Sequence, residues 1–550
     1  MNLAVERGKQ AARSRRPAPL CRLRLLISAL LALALCSGCA SLPPGSHYPK
    51  SSSTTLPEPQ TTRFGRVFAQ QSNRNGGHSG FRILNVGVDG FLMRLEMINA
   101  AERTLDLEYY IFRGDESGRL ITDALVRAAD RGVRVRVLVD DAETVVGDEQ
   151  LLSLSGHAAI EIRVFNPWKY RGHNTLLRNV EFLMRRSTLD YRMHNKMLVA
   201  DGALGLAGGR NVGDQYFQID PDSQYADDDV VAAGPIIADL SSAFDQFWNS
   251  GLAIPAEALT HRDQKDLPAS SARLFAAARV RKVAAAGLDY SDRLQAGEPL
   301  AGLLSGATPL SWSVARFVSD APDKKTAVAH SRVGHLMYEP VAERANRAQT
   351  ELLVVSPYFV PTKDALRLLQ SRSEHGARVR VLTNSLATNP NVAAHAGYMH
   401  YRLPLLRSGV QLNEVRSLLG SPRGSGESKR ITRFGNYALH AKLYVFDRRS
   451  LFIGSMNLDA RSKRLNTEMG FIIDSDELAQ QEATRFEAMT RLENSYSLSL
   501  RPVSGKQTAH LNWHTLEDGK PVDYGHEPAC SRWKRAQAKV LSWLPLDPEL

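Results

Sequence analysis

Two stretches of the chain carry the same reactive side chains at the same spacing. Residues 194–211 read HNKMLVADGALGLAGGRN, and residues 440–457 read HAKLYVFDRRSLFIGSMN. Each opens with a histidine and a lysine two positions apart: His194 with Lys196, and His440 with Lys442. Each continues through an aspartate, Asp201 or Asp447, to a Gly-Gly-x-Asn or Gly-Ser-x-Asn ending at Asn211 or Asn457. The apolar runs between these residues read as strands, in which side chains at i and i+2 share a face. His194 and Lys196 therefore project together, with Asn195 turned away. Asn211 and Asn457, at the end of the following runs, can join the same faces.

Two such sets facing each other suit a phosphodiester. Lysine and asparagine stabilise phosphoryl oxygens as charge rearranges. One imidazole attacks phosphorus, and the other protonates the departing oxygen. Each imidazole needs a partner to fix its tautomer. Downstream acids supply candidates in YADDDVVAAG, residues 225–234, and LNTEMGFIID, residues 465–474. Asp229 and Glu468 match best, which sets Asp227 against Asn466. Asp201 and Asp447 complete the repeated pattern, although each ends a strand where it can also set a turn. No cofactor is implied. Nor is a metal, because His-x-Lys supplies one ligand per copy and no His/Cys/Asp cluster has ligand spacing.

The elements that must position these residues are also repeated. Residues 104–112, TLDLEYYIF, read as a strand, 117–132 as an amphipathic helix stopped by Gly132, and 133–141 as a second strand. Residues 350–362, 363–376 and 377–385 repeat the series, with Gly376 as the stop. GVRVRVLVDD and GARVRVLTNS are nearly one phrase. Strand, helix and strand with short connections predict right-handed units with parallel pairing. The fold class is therefore α/β, with two tandem similar domains. Tyr109, Tyr110, Tyr358 and Phe359 occupy corresponding strand ends, as pocket lining or as ordinary core aromatics.

The 550 residues exceed one ordinary domain. The boundaries read as 80–255 for the first domain, 256–330 for a connector, 331–500 for the second domain and 501–550 for a C-terminal extension. In the connector, 270–287 reads as helix and 318–325 as loop. The net charge of +11 is concentrated at the start, where residues 1–38 hold seven Arg or Lys and one acid. The remainder carries 62 basic against 57 acidic side chains, a balance of +5 that does not call for nucleic acid.

Residues 1–38 read as a lipoprotein-type signal peptide. A basic region leads into LLISALLALAL, residues 25–35, then CSGCAS. That run is too short to span a bilayer as a mature helix. Ser37 and Gly38 before Cys39 resemble a lipobox, with Cys39 the lipidated residue and Ala40 favouring the outer membrane. The expected location is the cell envelope, on its periplasmic side. Residues 39–79, with their Ser-, Thr- and Pro-rich start, read as a flexible tether. Cys530 is then the one cysteine outside signal and anchor, either buried or paired between chains.

At the two HxKxxxxD motifs with GGxN or GSxN, the chain resembles the phospholipase D superfamily, over about residues 80–500. The resemblance implies two phospholipase D-like α/β domains forming one active site at their interface, and catalysis through a phosphohistidine without a metal. It places His194, Lys196, Asp201, His440, Lys442 and Asp447 in the catalytic set. It also implies that an acid from the opposite domain holds each histidine, pairing His194 with Glu468 and His440 with Asp229. His194 is then the nucleophile and His440 the general acid. Within the superfamily the motifs are most similar to bacterial cardiolipin synthases of the C type, which move a phosphatidyl group between phospholipids. The expected partners are phospholipid substrates and, through the anchor, a membrane. A phospholipase D releasing phosphatidic acid is the alternative, followed by a phosphodiesterase or nuclease and a non-catalytic scaffold. The sequence leaves the acceptor and the oligomeric state open.

Overall fold

Each half of the molecule is built on the repeated strand–helix–strand unit. In this computed structural model the described residues are 44–141, 154–172, 174–220, 223–259, 299–325, 336–417, 437–502 and 509–544. Cys39, the signal segment and the 270–287 helix lie outside them.

The first half contributes β1 Ser79–Leu84, β2 Thr104–Tyr109, β3 Arg134–Asp140, β4 Ile160–Phe165, β5 Lys196–Ala200, β6 Leu204–Gly208, β7 Gln224–Ala226, β8 Asp229–Ala233 and β9 Ala253–Pro255. The strands β4, β3 and β2 pair in parallel, and β2, β5, β6, β8 and β1 continue antiparallel. The helix Glu116–Asp130 makes the parallel crossover. The Asp115 carboxylate accepts from Gly118 N at its start, and Gly132 ends it at φ +90°, a conformation glycine adopts without strain.

Next comes β10 Ser311–Ser319. The second half follows with β11 Glu351–Val355, β12 Phe359–Val360, β13 Arg378–Asn384, β14 Gln411–Val415, β15 Tyr437–Leu439, β16 Leu443–Phe446, β17 Ser450–Gly454, β18 Leu458–Asp459 and β19 Met469–Asp474. Its sheet runs β14, β13, β11, β16, β17, β19, β10, the same order and directions as β4, β3, β2, β5, β6, β8, β1. The helix Lys363–Glu374, capped by Thr362 and followed by Gly376 at φ +93°, makes the matching crossover.

Two boundaries shift. The second domain begins by residue 311, because β10 stands in its sheet where β1 stands in the first. The supposed loop at 318–325 accordingly starts inside a strand. The tether also folds well before residue 80: the helix Arg63–Arg74, capped by Thr62, buries Phe64, Phe68 and Ser72 at helical spacing in the first domain. Those apolar positions are hidden among polar neighbours in the sequence. Beyond β14 the sheet continues with β20 Ser495–Pro502, which begins before the expected extension at residue 501, and the extension then adds β21 Ala509–Glu517, β22 Lys520–Tyr524 and the helix Arg532–Leu541.

Three apolar cores result. Two lie on the outer faces of the sheets under their helices. The third fills the space between the inner faces and includes side chains of both halves. There the Phe81 and Phe471 rings meet at 5.8 Å, and Phe317 and Phe471 at 5.4 Å. Full burial of such a ring contributes roughly 1.5–3 kcal/mol. Additionally, β10 pairs with β1 through Ser311–Ser313 before joining β19. No helix among the described residues is long and apolar enough to cross a membrane.

Candidate active site

Both His-x-Lys sets meet at one cleft between the halves. Each histidine sits just before the strand that opens its motif's hairpin, β5 or β16, and is held by backbone from the opposite half. The short parallel pair β7–β15 joins Gln224–Ala226 to Tyr437–Leu439, and His440 N donates to Ala226 O at 2.7 Å. On the other side Met193 bridges Thr467, and His194 N donates to Thr467 O at 3.0 Å. Each histidine therefore lies beside the residues that follow the partner segment: Asp227 after Ala226, and Glu468 after Thr467.

Those two acids are the imidazole partners. His194 Nδ1 lies 2.8 Å from Glu468 Oε2, and His440 Nδ1 lies 2.5 Å from Asp227 Oδ2. With Nδ1 engaged, Nε2 is the nitrogen available to a substrate. The pairing expected between His440 and Asp229 is thus corrected to Asp227. Strand register gives the reason: Gly208 faces Asp229, and Gly454 faces Gly470. Asp229 therefore corresponds to Gly470, and Asp227 to Glu468. Asp229 itself is buried between Arg94, at 2.8 Å, and Arg210, at 3.1 Å. Arg210 also donates to the carbonyls of Leu84, Asn85 and Asp227, so Asp229 steadies the turn that carries Asp227.

The difference between GGRN and GSMN follows from the two acids. Ser455 Oγ donates to Glu468 Oε2 at 2.5 Å. At the matching Gly209 a Cβ would lie 2.0 Å from Asp227 Oδ1. The shorter acid occupies the space that a serine needs.

The lysines pack against their own histidines. Lys196 Nζ donates to His194 O at 2.5 Å, and Lys442 Nζ to His440 O at 2.5 Å. Lys442 Nζ is also within 3.3 Å of both ring nitrogens of His440. Asn195 points away and donates to Glu108 at 2.8 Å. Asn211 and Asn457 line the cleft. The Asn211 amide donates to Tyr216 OH at 2.8 Å, and Tyr216 meets His440 edge-on at 5.2 Å.

Asp201 and Asp447 lie outside the cleft, a correction to their place in the catalytic set. Asp201 accepts from the backbone N–H groups of Glu102, Arg103 and Thr104, and Asp447 from those of Gln349, Thr350 and Glu351. Both have φ +53°. Each is a tight-turn latch that ties its motif's hairpin to the start of β2 or β11. Of the four strand-end aromatics, Tyr110 and Tyr358 line the cleft. Tyr109 is buried against Arg94, and Phe359 lies in the second domain's core.

Sequence reasoning missed several residues that position the site. Asp140 accepts from Met193 N at 2.8 Å, and Asn384 exchanges bonds with Leu439 at 2.8 and 2.9 Å. Each thus anchors the residue before a histidine from the end of the VRVL strand, so comparing VLVDD with VLTNS offers a signal. Asp320 and Lys324 form a buried pair at 2.7 Å that binds Glu468 N and the carbonyls of Ser462 and Asn466. They come from the connector, where no motif marks them.

Burial and the two ammonium groups set the electrostatics. Burial, then Lys196 and Lys442, drives His194 well below its ordinary value. Burial and Lys442 lower His440 to about 4, against the pull of Asp227. Burial brings Lys442 down to about 8 and Lys196 well below the usual lysine range. Glu468 is pushed up to about 7 by burial. Burial acts the same way on Asp227, but His440 and Lys442 outweigh it and hold its carboxyl low. The cleft, about 860 Å³, sets neutral imidazoles beside Lys196, Lys442 and Arg461, a donor set suited to receive an anion. Among the described residues no group of three or more His, Cys, Asp or Glu could hold a metal ion.

Comparisons with known proteins match both halves of the chain. The family model described as "Cardiolipin synthase, PLD-like domain" matches twice, over residues 95–248 and 341–490. The chain is 35% identical over 483 residues to cardiolipin synthase C of Escherichia coli (strain K12), covering 86% of this chain and 97% of that one. It is 25% identical over 405 residues to the major cardiolipin synthase ClsA of Bacillus subtilis (strain 168), covering 74% of this chain and 67% of that one. The fold is similar to that of the crystal structure of phosphatidylserine synthase from Haemophilus influenzae Rd KW20, with a TM-score of 0.51, 13% identity and coverage of 78% of this chain and 92% of that one. With both halves matched by the family model and cardiolipin synthase C spanned almost end to end, the chain belongs to the phospholipase D-like family of cardiolipin synthases.

Proposed function

We propose that the protein is a phosphatidyltransferase of the cardiolipin synthase type, working through a phosphohistidine on phospholipids of the cell envelope. The observation that carries this reading is the cross-paired geometry: two imidazoles share one cleft, each held at Nδ1 by an acid from the opposite half. In the first step Nε2 of His194 attacks phosphorus. The bond to the donor's head-group oxygen breaks, and that oxygen takes a proton from His440. In the second step an acceptor hydroxyl attacks the phosphohistidine and returns its proton to His440. The P–N bond breaks and the new diester leaves. Lys196, Lys442, Asn211 and Asn457 stabilise the phosphoryl oxygens throughout.

The two acids support this division of labour. Asp227 stays ionised beside His440 and stabilises an imidazolium there. Glu468, raised to about 7, gives His194 less of that help and favours its neutral, nucleophilic form. An anionic phosphate between the rings raises His440 toward neutrality, so substrate binding takes up the proton that the leaving oxygen needs.

The lipobox-like segment at Cys39 supports export and a lipid anchor on the periplasmic side, with the outer membrane favoured by Ala40. Mass spectrometry of the mature N-terminus tests this: a diacylated Cys39 is the expected result, and a free N-terminus elsewhere rejects it. Incubation with labelled phosphatidylglycerol tests the chemistry. Cardiolipin as product supports transfer, whereas phosphatidic acid as sole product makes the protein a hydrolase. Trapped ³²P on the protein should vanish in His194→Ala. Its persistence there, and loss only in His440→Ala, would reverse the two roles.

A further inference from the structure

The helix Thr175–Leu189 presents the wrong face to solvent. Its apolar residues Leu176, Leu177, Val180, Leu183 and Met184 form a stripe about one third of the way round the axis, the width that normally seals a core. Here that stripe is exposed, with Leu183 at 74% and Met184 at 64%. The helix is held to the protein by other residues: Phe182 stacks on Trp168, Arg178 lies over Trp168, and Leu189 is buried. A second exposed stripe runs along the C-terminal helix Arg532–Leu541 and the turn after it, through Trp533 at 77%, Val540, Trp543 at 72% and Leu544. Together the two stripes hold nine of the twelve exposed large apolar side chains among the described residues. Such concentration marks a binding surface.

Both helices connect to the cleft. Gln537 and Leu541 of the C-terminal helix line it directly. Thr175–Leu189 ends at Asp190, which pairs at 2.6 Å with the cleft residue Arg461. Exposed cations border the apolar residues: Arg186 on one helix, Arg532 and Lys539 on the other. Apolar stripes with exposed tryptophans and basic flanks match an anionic lipid interface, where apolar side chains enter the acyl boundary and cations meet phosphate.

We propose that these two helices dock the cleft onto the surface of an anionic phospholipid bilayer, so that a lipid head group reaches the two histidines without leaving its leaflet. The proposal rests on the phospholipid reading of the site but is measured separately from it.

Full-length protein is mixed with vesicles of phosphatidylglycerol brominated near the carbonyl, and tryptophan emission is recorded. Bromine quenches only at close range, so a tether at the N-terminus does not imitate docking. Quenching that is mostly lost in Trp533→Phe/Trp543→Phe supports the proposal, as does weaker quenching by brominated phosphatidylcholine. In parallel, Leu183→Glu/Met184→Glu is expected to lower turnover of vesicle phosphatidylglycerol roughly tenfold or more. Turnover of monodisperse short-chain phosphatidylglycerol should stay within about twofold of wild type. No quenching, or equal loss on both substrates, overturns the docking. Concentration-dependent dimerisation abolished by Leu183→Glu/Met184→Glu, without quenching, overturns it in favour of a second copy. Quenching without turnover of either lipid leaves the docking standing and removes the phosphatidyltransfer reading instead.

Discussion

Asp227 and Asp229 are two residues apart on one short segment, yet they act through different neighbours. Asp227 touches His440 and fixes the orientation of its ring. Asp229 forms ion pairs with Arg94 and Arg210 instead. Asp227→Asn should therefore lower kcat by about 10²–10⁴-fold with little change in melting temperature, since the amide offers the wrong hydrogen-bonding group to the imidazole. Asp229→Asn leaves two buried guanidinium groups short of their shared anion and should cost roughly 3 kcal/mol of stability. Thermal unfolding beside steady-state kinetics separates the two; equal kinetic losses would refute the distinction. Lys442 sets a second test. Its folded value of about 8 lies below its ordinary 10.5, so between these values the unfolded chain holds a proton that the folded one has released. Stability contributed by this group rises with pH across that window, and activity falls as the ammonium is lost. Lys442→Met should be inactive, yet more stable at pH 7 by up to on the order of 3 kcal/mol, an advantage that disappears by about pH 10. Melting curves of both proteins against pH check the sign.

At the scale of elements, the aspartate in each motif holds the hairpin to its neighbour. Asp447 accepts three backbone N–H groups at a positive φ that asparagine also tolerates. Asp447→Ala should destabilise by about 2–4 kcal/mol through the lost bonds and the strained turn, while kcat of the remaining folded protein changes little. Asp447→Asn should fall between wild type and alanine. A large kcat loss without a stability loss would return Asp447 to the chemistry. This is also where the sequence was most and least informative. The His-x-Lys spacing and the VRVL phrases are short-range patterns, and the strands, crossover helices and shared faces follow from them. The partner acid of His440 was missed because register across β6 and β8 decides it, and two adjacent candidates, Asp227 and Asp229, both precede a strand-like run. The roles of Asp320 and Lys324 were invisible for the same kind of reason. They act across about 140 residues, on backbone atoms that have no identity in sequence.

The whole molecule depends on its last fifty residues more than their composition implies. Glu527 from the extension pairs with Arg402 at 2.5 Å and with His395 at 3.2 Å, while Arg402 also reaches Glu414 at 2.8 Å. Burial opposes a charge on Glu527, but Arg402 and His395 outweigh it and hold its carboxyl well below the usual range. Glu527→Ala should lower stability by roughly 3–5 kcal/mol, because it strands charge in the interior. It should also increase proteolysis in the helix Arg532–Leu541, which this network holds at the cleft. Peptide mapping after brief digestion of wild type and variant measures it, and an unchanged digestion pattern would refute it.

A tandem repeat can leave its halves free to swing like jaws, but here the strand β10 opposes it. It hydrogen-bonds to β1 of the first half over its opening residues and to β19 of the second over the rest. Opening the molecule would mean unzipping a backbone ladder. The spacing of the two imidazoles is thereby tied to the strand ladder that joins the halves. A phosphodiester bound there would meet a gauge rather than a closing hand.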